Sequence, residues 1–131
     1  MEEHGPVRWE SVGRAFVVHL DRPPANAFGT PMIDGLSAAL DAFDAGTARV
    51  LVVTSDRPGF FVAGADIKQM RGASTGDFAD YGKALRAVLE RLAAHDRPSI
   101  AAIEGRALGG GLELALAATL RVGSKIGRAH V

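Results

Sequence analysis

The triplet Gly109-Gly110-Gly111 opens a segment that could bind a negatively charged oxygen atom. It follows a short apolar run and precedes an almost wholly apolar segment that we predict to be helical. Glycines at such a strand-to-helix junction let a ligand approach the backbone closely, and the unpaired N–H groups of the helix start point towards that ligand. The sequence therefore predicts an anion or oxyanion site at these glycines.

One carboxylate, Glu113, lies in the first turn of this predicted helix. Its neighbours along the helix are leucine and alanine. A carboxyl group on so apolar a segment costs free energy unless it is exposed to water or serves a function. Glu113 is therefore the first candidate for acid–base chemistry.

A second loop of small residues, Ala63-Gly64-Ala65-Asp66, follows an earlier apolar run. In open parallel sheets, ligands bind beyond the carboxyl ends of the strands. If the two strands are neighbours, one N–H group from each loop could point at the same oxygen atom and form an oxyanion hole. The alternative is that the small residues only permit tight helix–sheet packing. On spacing alone the two interpretations have similar weight.

The pattern along the rest of the chain predicts an α/β fold with parallel strand pairing. Apolar runs without alternation are typical of strands covered on both faces, and apolar residues at helical spacing predict the helices between them. Alternating strands and helices favour right-handed crossovers. The predicted elements are a hairpin of strands 7–11 and 15–20, a helix capped by Thr30 and ended by Gly46, a strand at 50–53, a helix through 78–92, a strand at 99–103 and a helix at 112–120.

The composition indicates a soluble globular domain and argues against nucleic acid or a membrane as partner. The chain has 131 residues, of which 47% are hydrophobic, and its 15 basic residues equal its 15 acidic residues. The absence of cysteine excludes disulfide and thiolate chemistry. The start of the chain has no signal-peptide pattern, and no apolar run is long enough for a membrane span, so we expect a cytoplasmic protein.

Several kinds of site are not indicated. No histidines and carboxylates share a metal-ligand spacing, so no metal is expected. The glycines do not have the spacing of a dinucleotide or P-loop site, and the chain lacks the nucleophile motif of the α/β-hydrolases. His4, His19 and His95 are expected at the surface.

Residues 61–70, FVAGADIKQM, and 105–115, GRALGGGLELA, resemble the two signature motifs of the crotonase, or enoyl-CoA hydratase/isomerase, superfamily. Residues 22–27, RPPANA, are also similar to that family, and the likeness runs from about Val17 to about Ser124. Two long motifs at the right separation are far more specific than either alone. The resemblance implies a crotonase-like fold with repeated ββα-type units. In this chain the fold would be truncated before the C-terminal helices.

The resemblance also implies roles for the matched residues. The N–H groups of Ala65 and Gly110 would hold the thioester oxygen of an acyl-CoA, and Glu113 matches the first of the two catalytic glutamates of the hydratases. Coenzyme A would be part of the substrate, so no separate cofactor is implied. The family is usually trimer-based, which predicts a homotrimer or a dimer of trimers. The residues that would border the coenzyme A channel are Ala63, Asp66, Ile67 and Lys68.

For two of these residues the structural explanation is favoured over contact with substrate. Asp66 is placed to cap a helix, and a lone lysine such as Lys68 is more often just solvated. A further residue, Thr119, departs from the aspartate that many family members carry at the end of the third helix, and it leaves the subfamily open.

The likeness ends at Ile126. The second catalytic glutamate would fall about twenty residues beyond Glu113, past the end of the 131-residue chain. Residues 126–131, IGRAHV, resemble the translation of a sequencing-library adapter, although a divergent natural terminus is the alternative. We therefore predict that residues 1–125 are the N-terminal part of a crotonase-like domain, that residues 126–131 are a non-native tail, that the genuine reading frame continues, and that the fragment itself is inactive.

Three functions are compatible with the sequence. An enoyl-CoA hydratase, a lyase that adds water to 2-enoyl-CoA thioesters in fatty acid oxidation, is favoured by Glu113 beside the glycines. Another enzyme of the superfamily, such as an isomerase, a dehalogenase or part of a bifunctional protein, would share the oxyanion loops. The third is a noncatalytic crotonase-like binding protein, including RNA-binding members. The neutral net charge argues against RNA, and Glu113 argues against a protein without catalysis.

Overall fold

The computed structural model describes residues 1–123 and the backbone of residues 128–129. The predicted boundary between residues 125 and 126 lies outside the described residues. The elements are β1 (Glu2–His4), β2 (Val7–Val12), β3 (Ala15–Leu20), α1 (Thr30–Ala45), β4 (Val50–Ser55), β5 (Phe60–Val62), α2 (Ile67–Met70), α3 (Thr75–Ala93), β6 (Ser99–Ile103), β7 (Arg106–Ala107), α4 (Gly110–Ala117), β8 (Leu120–Gly123) and β9 (Arg128–Ala129).

The strands form two sheets, and the α/β architecture predicted from the sequence is confirmed. The larger sheet has the order β1-β2-β3-β4-β6-β8, antiparallel as far as β3 and parallel from there on. The smaller sheet has the order β5-β7-β9 and is parallel. Strands β4 and β6 are neighbours, with Leu51 opposite Ser99, so the two small-residue loops follow adjacent parallel strands.

The core lies between one face of the larger sheet and helices α1 and α3. Strand β4 was predicted to be covered on both faces, but its residues alternate, with Leu51 and Val53 buried and Val52 half-buried. Only one face of β4 is covered by the described helices, which accounts for the alternation. In residues 1–123 no helix is both long and apolar enough to cross a membrane. The core residues of α1 and α3 include Met32, Leu36, Leu40, Phe43, Val88, Leu89 and Leu92.

The predicted cap of α1 is wrong by one residue. Gly29 is the N-cap, and Thr30 is the first helical residue. The Thr30 N–H group donates to Gln69 Oε1 at 2.7 Å, so a side chain from α2 satisfies a donor at the start of α1. This contact ties the start of α1 to the segment that follows Ala65.

The end of α4 also differs from the prediction, because the helix stops at Ala117 and Leu120 begins β8. The Ser99 N–H group donates to Thr119 Oγ1 at 2.9 Å, and the Thr119 N–H group donates to Ser99 Oγ at 3.1 Å. These reciprocal bonds hold the turn after α4 against the start of β6. Thr119 therefore has a structural role that accounts for a polar residue at this position.

The side chain of Asn26 joins the ends of three strands. Asn26 is fully buried and has a φ of 56°, in the left-handed region that asparagine tolerates better than most residues. Its Nδ2 group donates to Ser55 Oγ at 2.7 Å, to Phe61 O at 2.9 Å and, more weakly, to Leu20 O at 3.3 Å. Its Oδ1 atom accepts the Arg22 N–H at 2.7 Å. These bonds fix the loop before α1 against the strand that leads to Ala65.

We expect Asn26→Ala to lower the free energy of unfolding by about 3 kcal/mol, because it leaves several buried polar groups without partners. Chemical denaturation of the full-length protein, followed by circular dichroism, measures this loss. The matched control Ser11→Ala removes an exposed polar group from β2 and should change the free energy by less than about 0.5 kcal/mol. Equal effects from the two substitutions would show that the Asn26 bonds do not stabilise the fold.

Apolar side chains are exposed on α4 and on the edge strand β8. Leu116, Leu120 and Val122 are 59%, 58% and 57% exposed. Exposed apolar surface and an unpaired strand edge both promote association. We expect the isolated 131-residue chain to associate or to unfold without a sharp transition. Light scattering and thermal unfolding test this, with Val122→Thr expected to reduce association; a cooperative monomer would contradict it.

Candidate active site

The short strands β5 and β7 bring the two small-residue loops into contact. They are parallel neighbours, and the Leu108 N–H group donates to Val62 O at 3.0 Å just beyond their pairing. A Cβ atom added to Gly109 would lie 3.9 Å from the Cα atom of Gly64. The loops therefore touch at the residues immediately before the two predicted N–H donors. Sequence reasoning missed β5 and β7, because strands of three and two residues are too short to show a pattern.

The N–H groups of Ala65 and Gly110 are both available to a ligand. Gly110 is the first residue of α4, where a backbone N–H has no acceptor within the helix. Ala65 forms a parallel bridge with Phe28. The hydrogen bond of this bridge runs from the Phe28 N–H to Gly64 O at 2.6 Å and does not use the Ala65 N–H. Within residues 1–123, neither donor has an acceptor at hydrogen-bonding distance. Their use as an oxyanion hole stays a prediction.

The three glycines at the start of α4 are needed for different reasons. Gly109 has φ 49° and ψ −116°, a conformation that residues with a Cβ atom rarely adopt. A Cβ atom on Gly111 would lie 2.2 Å from Val62 O, so this glycine allows α4 to pack against β5. A Cβ atom on Gly110 would lie 3.2 Å from Cδ2 of Phe28. The packing interpretation thus applies to Gly111, while Gly110 combines close packing with an open N–H group.

Glu113 is exposed in the first turn of α4, one turn beyond Gly110. Its N–H group donates to Gly109 O at 3.0 Å, which fixes its backbone directly above the glycine loop. The carboxylate is close enough to Tyr81 to influence it. Burial raises the pKa of the Tyr81 phenol, and the negative charges of Asp66 and Glu113 raise it further. Tyr81 therefore stays a neutral hydrogen-bond donor beside the predicted base.

Tyr81 was missed as a site residue, because it lies among apolar residues of the helix predicted through 78–92. The structure shows that its hydroxyl donates to the backbone oxygen of Phe28. A hydroxyl on an otherwise apolar helix face is the signal that could have identified it, since buried tyrosine hydroxyls usually need a partner.

Asp66 caps helix α2. Its Oδ1 atom accepts the Gln69 N–H at 3.1 Å, and its Oδ2 atom lies 2.8 Å from the Arg22 guanidinium. The bond from Gln69 and then the contact with Arg22 hold the pKa of this carboxyl below its usual value. Arg22 also donates to Ala27 O at 3.0 Å. Asp66 therefore shapes the loop that presents the Ala65 N–H, and its predicted contact with substrate stays a prediction.

The other predicted substrate-binding residues lie along the same loop. Ala63 donates its N–H to Ala25 O at 3.0 Å and is half-buried. Ile67 is 68% exposed, and Lys68 is exposed beside it on α2. Ile67 and Lys68 thus form a rim that a ligand could reach without rearrangement.

A cleft of about 570 Å³ adjoins this site between α1, α2 and α3. Tyr81 and Gln69 belong to its wall, whereas Ala65, Gly110 and Glu113 do not. The wall also includes Thr30, Asp34, Met70, Arg71 and Phe78.

His19 and His95, which the sequence predicts at the surface, are half-buried and have partners of their own away from the loops. His19 Nδ1 lies 3.1 Å from Asp56 Oδ1, and His95 contacts Asp44 at the far end of α1. Glu104 is exposed directly after β6. The site therefore consists of the two loops, the first turn of α4 and the facing part of α3.

Comparison with known proteins supports the resemblance. The family model for enoyl-CoA hydratase/isomerase matches residues 11–127. The chain is 44% identical over 107 residues to a probable mitochondrial enoyl-CoA hydratase 2 of Arabidopsis thaliana, covering 80% of this chain and 36% of that protein. It is 42% identical over 98 residues to the mitochondrial methylglutaconyl-CoA hydratase of Homo sapiens, covering 74% and 29%.

Solved structures of this family have the same fold. An enoyl-CoA hydratase/carnithine racemase from Magnetospirillum magneticum matches with a TM-score of 0.89 and 32% identity, over 96% of this chain and 49% of that one. An enoyl-CoA hydratase from Bacillus anthracis matches with a TM-score of 0.89 and 27% identity, over 95% and 49%. The chain spans about a third to a half of the length of these relatives. It belongs to the enoyl-CoA hydratase/isomerase family and has the crotonase-like fold.

Proposed function

We propose that the full-length protein is an enoyl-CoA hydratase that adds water to 2-enoyl-CoA thioesters. The observation that carries this proposal is the arrangement of Ala65, Gly110 and Glu113. Two unpaired N–H groups lie on touching loops, and a carboxylate lies one helical turn beyond the second of them. A role in fatty acid oxidation and a trimeric assembly belong to the same proposal.

The chemistry of hydration matches these groups. When the water oxygen bonds to C3 of the enoyl group, electrons move to the thioester oxygen and an enolate forms. Paired N–H groups stabilise that developing charge, and because they are part of the backbone they need not reorganise. Glu113 accepts a proton from the attacking water, and a proton is then delivered to C2. We expect a second carboxyl group beyond residue 131, as the resemblance to the family implies, and it would complete these transfers.

Coenzyme A would lie along the loop of Ala63 and the rim formed by Ile67 and Lys68. Lys68 is exposed and positively charged, so it can approach a phosphate group without losing a partner of its own. Asp66 would act mainly through its cap and its contact with Arg22, which hold the loop in shape.

Isomerisation of 3-enoyl-CoA thioesters is a second candidate. One base suffices for it, because the same carboxylate can remove a proton from C2 and return it to C4. Asp66 is engaged with Arg22 and Gln69, whereas Glu113 is exposed at the start of α4, so Glu113 would be the base of this reaction as well. The same carboxylate and the same two N–H groups would thus serve either reaction.

Two substrates distinguish a hydratase from an isomerase. The full-length protein should consume crotonyl-CoA and longer 2-enoyl-CoA thioesters with loss of the absorbance of the conjugated thioester. An isomerase would instead produce that absorbance from a 3-enoyl-CoA. Binding of acyl-CoA with neither reaction would favour a noncatalytic protein and contradict the proposal.

A further inference from the structure

Phe28 contacts both loops of the site. Its N–H group donates to Gly64 O at 2.6 Å, and its backbone forms an isolated bridge with Ala65. On the other side, its ring lies against Gly110, because an added Cβ atom there would be 3.2 Å from Cδ2 and 3.9 Å from Cε2 of the ring. Phe28 is fully buried, so its position is set by packing. One residue thus holds the first loop with its backbone and supports the second loop with its side chain.

Tyr81 fixes Phe28 from a third direction. Its hydroxyl, on α3, donates to the Phe28 carbonyl oxygen. The peptide groups on both sides of the Phe28 Cα atom are therefore hydrogen-bonded, one to the loop of Ala65 and the other to α3. Tyr81 is half-buried and also forms part of the cleft wall.

We propose that Phe28 and Tyr81 are positioning residues for the oxyanion hole. Phe28 sets the separation of the Ala65 and Gly110 N–H groups, and the Tyr81 hydroxyl keeps Phe28 in the position that does so. The inference rests on the proposed function of those two N–H groups as an oxyanion hole.

The magnitude of the effect follows from the sensitivity of catalysis to geometry. A displacement of about 1 Å at a reacting group can cost about 100-fold in rate, and loss of one oxyanion donor costs about 100- to 1,000-fold. A variant that displaces the two N–H donors but keeps both of them should lose less catalytic rate than that. The loss should fall on kcat more than on KM, because an oxyanion hole stabilises the transition state more than the bound substrate.

The test compares three variants of the full-length protein with crotonyl-CoA as substrate. Tyr81→Phe should lower kcat by about tenfold, and Phe28→Leu by about 10- to 100-fold, with KM within about twofold of the parent. The matched control is Phe43→Leu, which makes the same change at another buried position of the core, at the C-terminal end of α1. It should lower the melting temperature about as much as Phe28→Leu but leave kcat at the parent value.

A second readout needs no turnover. A bound cinnamoyl-CoA thioester absorbs at longer wavelength when N–H donors polarise its carbonyl group. At saturation the parent should show this shift, and Tyr81→Phe should show a smaller one. The pH profile of kcat should keep its shape in Tyr81→Phe, because a positioning hydroxyl does not exchange protons with substrate.

The outcomes distinguish the positioning role of Phe28 and Tyr81 from the oxyanion hole itself. If both Tyr81→Phe and Phe28→Leu show the same absorbance shift of bound cinnamoyl-CoA and the same kcat as the parent, the positioning role is overturned and the oxyanion hole stands. An equal loss of kcat in Phe43→Leu would overturn it as well, since general destabilisation would then explain the effect. Binding of cinnamoyl-CoA by the parent without any shift would refute the proposed oxyanion hole itself, and the inference with it.

Discussion

Glu113→Gln should lower the turnover of 2-enoyl-CoA by about two to four orders of magnitude in the full-length protein, because it keeps the shape of the side chain but removes the base. Binding of acyl-CoA should stay nearly unchanged, so the loss should appear in kcat rather than in KM. Glu113 is exposed on the first turn of α4, and the substitution therefore disturbs little packing. Steady-state kinetics with crotonyl-CoA measure both constants.

Glu104→Gln is the matched control for this prediction. Glu104 is also exposed and follows the strand that leads to the glycine loop, but it lies outside the site. It should leave kcat within about twofold of the parent, as is usual for a surface substitution away from the reacting groups. If Glu113→Gln hydrates crotonyl-CoA and longer substrates as fast as the parent, Glu113 is not the base.

Gly110→Pro should cost about 3 kcal/mol or more of transition-state stabilisation, the effect of losing one oxyanion donor plus any backbone disturbance. Proline is well tolerated at the first helical position, where the missing N–H has no partner within the helix. Gly110 occupies that position in α4, so the helix itself should still form. The value of kcat/KM for crotonyl-CoA gives the loss directly.

Gly110→Ala distinguishes the effect of the N–H donor from the effect of the limited space at residue 110. It keeps the N–H group but adds a Cβ atom 3.2 Å from the Phe28 ring. We expect a loss several-fold smaller than that of Gly110→Pro, since the contact requires only a shift of a few tenths of an ångström. Equal losses in the two variants would mean that packing, rather than the N–H donor, accounts for the requirement for glycine.

The elements that repeat a clear pattern were predictable from sequence. The hairpin, the three longer helices and strands β4 and β6 all follow from apolar spacing over several residues. The position of Gly110 and Glu113 at a strand-to-helix junction followed from three successive glycines before an apolar helix. Only the family resemblance related them to Ala65 at the level of sequence, and the contact between Gly64 and Gly109 shows that the two loops meet.

Contacts between distant residues were not predictable. The Thr30 cap was wrong, because Gln69 comes from a segment 39 residues away in sequence. The bond between Tyr81 and Phe28 spans 53 residues, and no local pattern indicates which carbonyl a helix hydroxyl will reach. The hydrogen bonds of the Asn26 side chain were also not predictable, since its partners are brought together only when three strands have formed. Sequence patterns thus indicated the candidate N–H donors and base, but not the residues that hold their loops in place.

The most direct test of the central claim is the mass of the product that the full-length protein forms from crotonyl-CoA in ¹⁸O-labelled water. A hydratase should give a product heavier than the substrate by one molecule of labelled water, with the label in a hydroxyl group at C3, and Glu113→Gln should give much less of it. A product of unchanged mass, or no product from a protein that binds the thioester, would contradict the assignment as a hydratase.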